Sequence, residues 1–410
     1  MRSRKDYLIT KEEVYRHAES WLTEKLPLKC TGRKCTTSVV FQVLLIAAAR
    51  VVSVFAACRD LADAPCSRSV FKALSASLPK IGELEKQLNR SLCHKLPKAL
   101  LRKSRVVAID LTLIPYHGQP ASDKKEIFRC KPKAGTSHFH AYATAAVVHK
   151  GYRYTVALMH VEYGVGMKEV VQKLVRLVRQ WGIKIRYLLL DKGFYSVSVL
   201  SYLKRADIGY VVPILLRGRH KKDKNAPPSA MRELMKKNNG YYRRIITGQD
   251  GKRKKARLKI NVCVASKDYV DEKTGKKRRK KLLFAISKVR RTWKEIRELY
   301  RKRFGIETTY RQMNEARIRT CTRDPRVRLL FVAIALILRN VWVWIHFKLA
   351  RCKDREEPQL FLELLRLEEM LLWITQIVQQ ALGAHKTHGI KREDYQRLAA
   401  RKSLALKSNY

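Results

Sequence analysis

Acidic residues are scarce in this chain. Its 410 residues include 35 Asp and Glu against 88 Lys and Arg, which gives a formal net charge of +53. Self-repulsion on this scale requires a polyanion or its counterions against the surface, and nucleic acid is the polyanion that Lys and Arg neutralise most directly. A ribosomal-type protein and a binder of anionic membranes are the alternatives. Because 46% of the residues are apolar, the chain is still expected to bury a core.

A regular cysteine framework and an N-terminal signal peptide are also lacking. The nine cysteines are scattered, which is typical of a reducing cytoplasm. A zinc site built from Cys30, Cys35, Cys58 and Cys66 is an alternative, but the second pair is too widely spaced for a standard knuckle. We interpret the four as buried or surface thiols. The opening MRSRKDYLIT leads straight into a charged amphipathic stretch, so we expect a cytoplasmic protein.

One apolar run is long enough to span a membrane, LLFVAIALILRNVWVWIHFKLA at residues 329–350. Arg339 and Asn340 fall in its middle, where a charge is expensive in lipid. The run therefore predicts a buried helix, and we expect no membrane partner.

Residues 1–100 are predicted to be helical, because apolar residues recur at helical spacing in KEEVYRHAESWLTEKL and over residues 38–62. The turn DAPCS follows, and then a basic helix that carries Arg68 and Lys72. Helix, turn and basic helix is the outline of a helix-turn-helix, although an ordinary helical hairpin has the same outline. We predict a helical N-terminal DNA-binding region.

Strand patterns begin at residue 105. VVAIDLTLIPY is β-rich, HAYATAAVVHK and YRYTVALMHVE predict a hairpin around Gly151, and IKIRYLLLDKGFY contains a buried strand. Residues 166–181 predict an amphipathic helix before that strand, while VSVLSYLKRA and IGYVVPIL add a helix and a strand after it. The predicted order is β, β, β, α, β, α, β, which is an α/β fold with a mixed sheet.

The stretch from residue 217 to residue 290 has a different composition. It contains 26 Lys or Arg against 6 Asp or Glu, and its β-rich runs and polar turns indicate an inserted basic β subdomain. One long helix is predicted next, TWKEIRELYRKRFGIETTYRQMNEAR, and then a helical C-terminal region with a basic tail. This order of elements, closed by a long helix, resembles an RNase H-like core.

Three carboxylates stand where the chemistry of such a core needs them. Asp110 lies within an apolar strand, where a carboxylate costs several kcal/mol unless it is paired or bound to metal. Asp191 ends the apolar run RYLLL, and Glu307 lies inside a strongly basic helix. Each placement alone has an ordinary explanation, a cap or a solvated side chain. Together they predict a site for two divalent ions, Mg²⁺ or Mn²⁺, roughly 4 Å apart.

The spacing Tyr300-x2-Arg303-x3-Glu307 resembles the Tyr-Arg-Glu-Lys signature of cut-and-paste insertion-sequence transposases of bacteria and archaea, which are DDE enzymes. The blocks KAGTSHFHAYAT, DKGFY and RTCTRDPRVRLLFVAIALILRNVW are also similar to that family. The likeness covers about residues 105 to 350. It implies that Asp110, Asp191 and Glu307 bind the metals, and that Tyr300 and Arg303 contact the transferred DNA end.

The resemblance further implies double-stranded DNA as the partner, both the terminal repeats of the element and the target, and a homodimer in the synaptic complex. Such a protein is expected in the cytoplasm with the nucleoid. One signature residue departs from the family, because the lysine would fall at Asn314. Either Asn314 binds phosphate as a neutral group, or Arg311 or Arg317 supplies the missing charge.

The resulting division assigns residues 1–100 to DNA binding, 101–216 and 291–325 to the catalytic core, 217–290 to the basic insertion, and 326–410 to the helical C-terminal region and tail. Two other functions remain open. One is a related nuclease or resolvase that cuts without joining, and the other is a domesticated DNA-binding protein whose nuclease is silent.

Overall fold

The computed structural model describes residues 8–118, 124–149, 151–216, 230–250, 253–270, 275, 277–350 and 360–385, with short pieces between 392 and 400. The start of the predicted insertion (217–229), Lys276 and most of the predicted basic tail lie outside these residues.

The N-terminal region is helical, as predicted. Its helices are α1 (Lys11–Thr23), α2 (Thr37–Ala49), α3 (Val54–Asp60), α4 (Ser67–Ser77), α5 (Ile81–Leu92) and α6 (Lys98–Arg102). The side chains of Thr10, Thr36 and Ser53 each accept a hydrogen bond from the backbone N–H three residues further on. Such caps satisfy N–H groups that have no partner within the helix, so the sequence itself sets where α1, α2 and α3 begin.

A mixed sheet of nine strands forms the centre of the described residues. The strands are β1 (Arg105–Pro115), β2 (Phe128–Lys133), β3 (Thr136–Val148), β4 (Arg153–Val161), β5 (Ile185–Leu190), β6 (Tyr210–Pro213), β7 (Gly240–Asp250), β8 (Arg253–Val270) and β9 (Lys277–Ser287). They run in the order β2-β3-β1-β5-β6-β9-β8-β7, with β4 also paired to β3. β3 and β4 form the predicted antiparallel hairpin, whereas β1, β5 and β6 are parallel.

Two helices connect β4 to β5 and β5 to β6. α7 (Met167–Gln180) buries one apolar face that includes Val170, Leu174 and Val178. α8 (Val197–Arg205) follows a short 3-10 turn at Lys192–Phe194 and leads into β6. Helices that cover the sheet explain why β3, β4 and the end of β5 are almost continuously apolar and buried.

The strands of the basic insertion extend the same sheet. After the short helix α9 (Ala230–Glu233), β7 pairs with β8 and β8 pairs with β9, all antiparallel. β9 in turn pairs with β6, where Pro213 lies opposite Phe284. The insertion is therefore joined to the core by main-chain hydrogen bonds rather than by a linker.

The prediction of a single long helix after the insertion is wrong, because the structure has two helices there. Two residues separate the end of α10 (Trp293–Arg301) from the start of α11 (Phe304–Asn314). At the division the N–H groups of Gly305 and Ile306 bond to carbonyls three residues back, a tighter turn than that of an α-helix. Gly305 lies so close to Arg153 that a Cβ would come within 2.6 Å of its Nε atom.

The C-terminal helices α12 (Pro325–Ala350) and α13 (Leu367–Leu382) pack with the N-terminal helices. Among the described residues, α12 alone is long and apolar enough to cross a membrane, and 94% of its apolar window is buried inside the protein. Arg339 donates to Gln312 (2.9 Å) and to the carbonyl of Arg153 (3.1 Å), while Asn340 bonds to the backbone of Thr155. The predicted burial of this helix is confirmed.

Candidate active site

The two aspartates belong to neighbouring parallel strands. Asp110 is in β1 and Asp191 directly follows β5. Ile109 pairs with Leu190, so the register places the next residues of the two strands, Asp110 and Asp191, side by side. Adjacent strands are about 4.8 Å apart, and the two carboxylates therefore share one edge of the site.

Helix α11 closes the site from the other side. The hydroxyl of Tyr310 donates to the backbone carbonyl of Asp110 at 2.9 Å, and it lies 2.8 Å from the hydroxyl of Thr144. Because a phenol has one proton, the Thr144 hydroxyl is the donor in the second contact. These two bonds fix α11, and with it Glu307, against β1 and β3.

The sequence prediction missed Tyr310 and Thr144. A signal for Tyr310 was present, because it follows Glu307 by three residues and so lies on the same side of the helix. Thr144 is visible only from the pairing of β1 with β3, where it lies opposite Asp110.

One guanidinium lies between the three carboxylates. Arg303 is 6% exposed, and its Nη1 atom is 3.0 Å from Oδ2 of Asp110. Its Nη2 atom is 2.6 Å from Oε1 of Glu307 and 3.8 Å from Oδ1 of Asp191. The three predicted metal ligands thus converge on a single cation, which is the arrangement that a binding site for positive charge requires.

The electrostatics of Asp110 reflect its position inside the sheet. Burial raises the pKa of Asp110 to about 6, while the Arg303 guanidinium and the backbone N–H of Leu111 act in the opposite direction. The neighbouring carboxylates of Asp191 and Glu307 raise the pKa further. Asp110 therefore holds a proton more readily than an isolated aspartate does, and further positive charge would stabilise its ionised form.

The other predicted site residues divide into two groups. Tyr300 lies beside the site, with its ring 5.5 Å from the guanidinium carbon of Arg303 and packed 5.1 Å from the ring of Phe284. Arg311 and Asn314 are exposed on α11, and within the described part of the chain no hydrogen bond or ion pair joins them to the three carboxylates. Asn314 instead accepts a hydrogen bond from Arg317 at 3.1 Å.

A cavity of about 540 Å³ opens next to Tyr300. Its floor is apolar and includes Ile214 and Phe284, and its rim carries Lys192, Arg301 and other basic side chains. Phe304, which is 51% exposed, lines it between the cavity and Arg303. Exposed aromatic rings with surrounding cations are the features that bind single-stranded nucleic acid, by stacking and by contacts with phosphate.

The three carboxylates lie inside a segment that matches a known family of proteins. The family model of the transposase DDE domain matches residues 101–341, which is more than half of the chain and spans all three carboxylates. The chain belongs to the DDE transposases.

A solved transposase structure agrees with the fold of this chain. The piggyBac transposase in its synaptic complex with hairpin DNA superposes with a TM-score of 0.50 and 13% identity, over 94% of this chain and 82% of that one. The strand transfer complex of the Drosophila P element transposase matches 51% of this chain and 38% of that one, with 9% identity and a TM-score of 0.23. No curated protein sequence matches the transposase. The predicted RNase H-like α/β fold is confirmed by the first of these structures.

DDE transposases generally use divalent metals, and the donor set of this site fits them. Three carboxylates from two strands and a helix supply the oxygen ligands that Mg²⁺ and Mn²⁺ prefer. In the described residues no three acidic, histidine or cysteine side chains converge closely enough to hold an ion, and Arg303 lies between the carboxylates instead. Among the described residues, the guanidinium of Arg303 is the cation that these carboxylates contact.

Proposed function

We propose that the chain is a cut-and-paste transposase of the insertion-sequence type found in bacteria and archaea. It would cleave the ends of its element and join the liberated 3′ ends to target DNA. The observation that carries this proposal is the convergence of Asp110, Asp191 and Glu307 on one buried cation. A transposase domain, a net charge of +53 and three acidic ligands at one point together support phosphoryl transfer on DNA.

Each side chain of the site has a proposed role. Asp110, Asp191 and Glu307 would hold two ions, Mg²⁺ or Mn²⁺. When bound, the ions supply an activated hydroxyl nucleophile and stabilisation of the leaving oxygen. Tyr310 keeps the backbone of Asp110 in place, while Arg303 and Tyr300 would contact the phosphates of the DNA end.

The absent signature lysine has a proposed substitute. Arg317 is already engaged, because its Nε atom donates to Asn314. Arg311 is exposed one helical turn after Glu307, on the same side of α11. We assign the phosphate contact of the fourth signature position to Arg311, with Asn314 as a secondary neutral contact.

The basic sheet extension supports a DNA-binding surface beside the site. Along β7 and β8 exposed and less exposed residues alternate, and Arg243, Arg257 and Lys259 lie on the exposed side. The exposed end of β9 adds Arg278 and Lys280. Double-stranded DNA, as element ends and target, is the partner that such a surface fits.

The wider organisation follows the same proposal. The helical region 1–100 would bind DNA, 101–216 and 291–325 would form the catalytic core, 217–290 would hold the DNA end, and 326–410 would support the core. We also propose a homodimer in the synaptic complex and a place with the nucleoid in the cytoplasm.

The test uses purified protein, Mg²⁺ or Mn²⁺, a DNA fragment with the repeats that flank the gene, and a target plasmid. Cleavage at the repeats followed by joining supports the proposal. Cleavage without joining indicates a nuclease or resolvase. Binding without cleavage indicates a DNA-binding protein with a silent nuclease, and either of these results contradicts a transposase activity.

We expect DNA binding to depend strongly on salt. If six phosphates are neutralised, the logarithm of the binding constant falls against the logarithm of the salt concentration with a slope of about −5, from about −0.9 per phosphate. Replacing Arg257 and Lys259 by Gln should reduce the slope by about 1.8, since two contacts are lost.

The matched control for this experiment replaces Arg176 and Lys184 by Gln. These are two exposed cations in and just after α7, a helix that packs against β3, β4 and α8. Titration by fluorescence anisotropy at several salt concentrations gives the slopes. An equal loss in both double variants would place DNA elsewhere than on the β7–β8 face.

Tyr310→Phe is expected to weaken catalysis without unfolding the protein. The variant keeps the ring in the core but removes the donor to the Asp110 carbonyl, a hydrogen bond with a net value of about 1 kcal/mol. Strand cleavage should fall roughly three- to tenfold. Tyr202→Phe, which alters a partly buried tyrosine of α8, is the control. Equal cleavage rates in the two variants would contradict a positioning role for Tyr310.

A further inference from the structure

Arg303 is built into the site as a partner of the carboxylates. It lies at the division between α10 and α11, and the rings of Tyr300 and Phe304 lie 5.5 and 5.2 Å from its guanidinium carbon. Its two terminal nitrogens contact Asp110 and Glu307 at hydrogen-bond distance. Its third nitrogen, Nε, is buried and has no hydrogen-bond partner among the described residues.

The position of the Arg303 guanidinium is incompatible with metal ions bound to the same carboxylates. A guanidinium nitrogen 2.6 to 3.0 Å from a carboxylate oxygen takes up the lone pairs that a divalent ion would use at about 2.1 Å. A guanidinium and a divalent cation between the same carboxylates would also repel each other in a site of low dielectric. The carboxylates can therefore hold the guanidinium or the ions in this geometry, and not both.

We propose that Arg303 is the counter-ion of the metal-free site and that divalent ions displace it, so that metal binding and release of Arg303 are one coupled event. The inference rests on the proposed metal-dependent function. The displaced guanidinium would turn between Tyr300 and Phe304 towards the adjacent cavity, whose rim is basic. There its free Nε and the released terminal nitrogens form the fork that binds a DNA phosphate.

The coupling would have a consequence for the order of events. Without metal, the arginine that grips DNA is held by the carboxylates and the carboxylates are neutralised by the arginine. With metal, the carboxylates hold the ions and Arg303 is released to contact DNA. DNA ends would thus meet a complete phosphate contact only when the ions are already present.

The competing explanation is a fixed counter-ion that stays between the carboxylates whatever else binds. It predicts that removing the guanidinium weakens the site or leaves its metal affinity unchanged. Displacement predicts the opposite, because a competitor for the same oxygens has been removed. Metal affinity in the absence of DNA separates the two without any measurement of activity.

The experiment is calorimetric titration of the full-length protein with Mn²⁺, without DNA, for wild type, Arg303→Gln and Arg303→Lys. Arg301→Gln is the matched control. Arg301 lies two residues before Arg303, and its exposed side chain pairs with Glu298, so this change removes the same charge outside the carboxylate site. Asp110→Asn identifies the heat that belongs to the carboxylate site. Thermal melting in EDTA and in Mn²⁺ is recorded for each protein.

Displacement predicts at least tenfold tighter Mn²⁺ binding by Arg303→Gln than by wild type, with Arg301→Gln within about twofold of wild type. Arg303→Lys should lie between, because an ammonium cannot bridge Asp110 and Glu307 as the fork does. In EDTA the melting temperature of Arg303→Gln should be lower than that of wild type, and Mn²⁺ should reduce the difference between the two melting temperatures. Equal or weaker Mn²⁺ binding by Arg303→Gln overturns the inference but leaves the proposed function standing. If no protein shows Mn²⁺ heat that Asp110→Asn abolishes, the proposed metal-dependent function itself fails.

Discussion

Asp110→Asn, Asp191→Asn and Glu307→Gln should each reduce strand cleavage at least about a thousandfold while DNA binding stays close to wild type. Each change keeps the shape of the side chain but removes one of the three charges that surround Arg303. A bound metal contributes several kcal/mol of transition-state stabilisation, and a loss of about 4 kcal/mol corresponds to about a thousandfold in rate. Cleavage of labelled element ends under single-turnover conditions gives the rates.

Glu315→Gln is the matched control, because Glu315 follows α11 directly and is exposed. Its cleavage rate should equal that of wild type. DNA binding by anisotropy and a melting curve for every variant separate lost chemistry from lost folding. Near-normal cleavage by any one of the three acidic variants would remove that residue from the proposed metal ligands.

Asn340→Leu should destabilise the protein by at least about 3 kcal/mol. The Asn340 amide donates to the carbonyls of Thr155 (2.7 Å) and Leu92 (3.1 Å), and it accepts from the N–H of Thr155 (3.1 Å). Leucine fits the volume but leaves three buried backbone groups without partners, and each such group costs about 1–3 kcal/mol. The free energy of unfolding in urea measures the effect.

Asn238→Leu changes an exposed asparagine in the same way and should alter the free energy of unfolding by less than about 0.5 kcal/mol. If Asn340→Leu were equally mild, the amide would not be what joins α12 to β4 and to the end of α5. A membrane-spanning role for α12 would also predict a mild effect or a stabilisation, since leucine suits lipid better than asparagine.

The positions of the three carboxylates were predictable because each lies in an element with a strong local pattern. Asp110 and Asp191 interrupt apolar strand runs, and the apolar spacing around Glu307 is helical. The burial of α12 was predictable for the same reason, from two polar residues in the middle of an apolar run. Local patterns of this kind report which face of an element is buried, and little else.

What the sequence could not give depends on contacts between distant residues. The division between α10 and α11 goes with the close approach of Gly305 to Arg153, about 150 positions earlier in the chain. Strand β2, whose sequence is FRCKPK, was missed because it is short, half of its residues are basic and it contains a proline. Its pairing with β3 alone makes it a strand. The contact of Arg303 with Asp110 joins residues that no helical or strand spacing connects.

The pairing of β6 with β9 fixes the distance between the basic face of β8 and the carboxylates of the site. From β5, which ends at Asp191, to β8, which carries Arg257 and Lys259, the order is β5, β6, β9, β8. The pairings place Cys263 of β8 level with Asp191, and Lys259 lies four residues further along that strand. Three strand spacings across the sheet and four residues along it amount to about 20 Å, or roughly six nucleotides of a DNA strand. Main-chain hydrogen bonds set this length, so the basic face cannot swing independently of the carboxylates. If DNA is held on that face, the offset of the cut is fixed by the protein, and only deformation of the DNA could change the stagger.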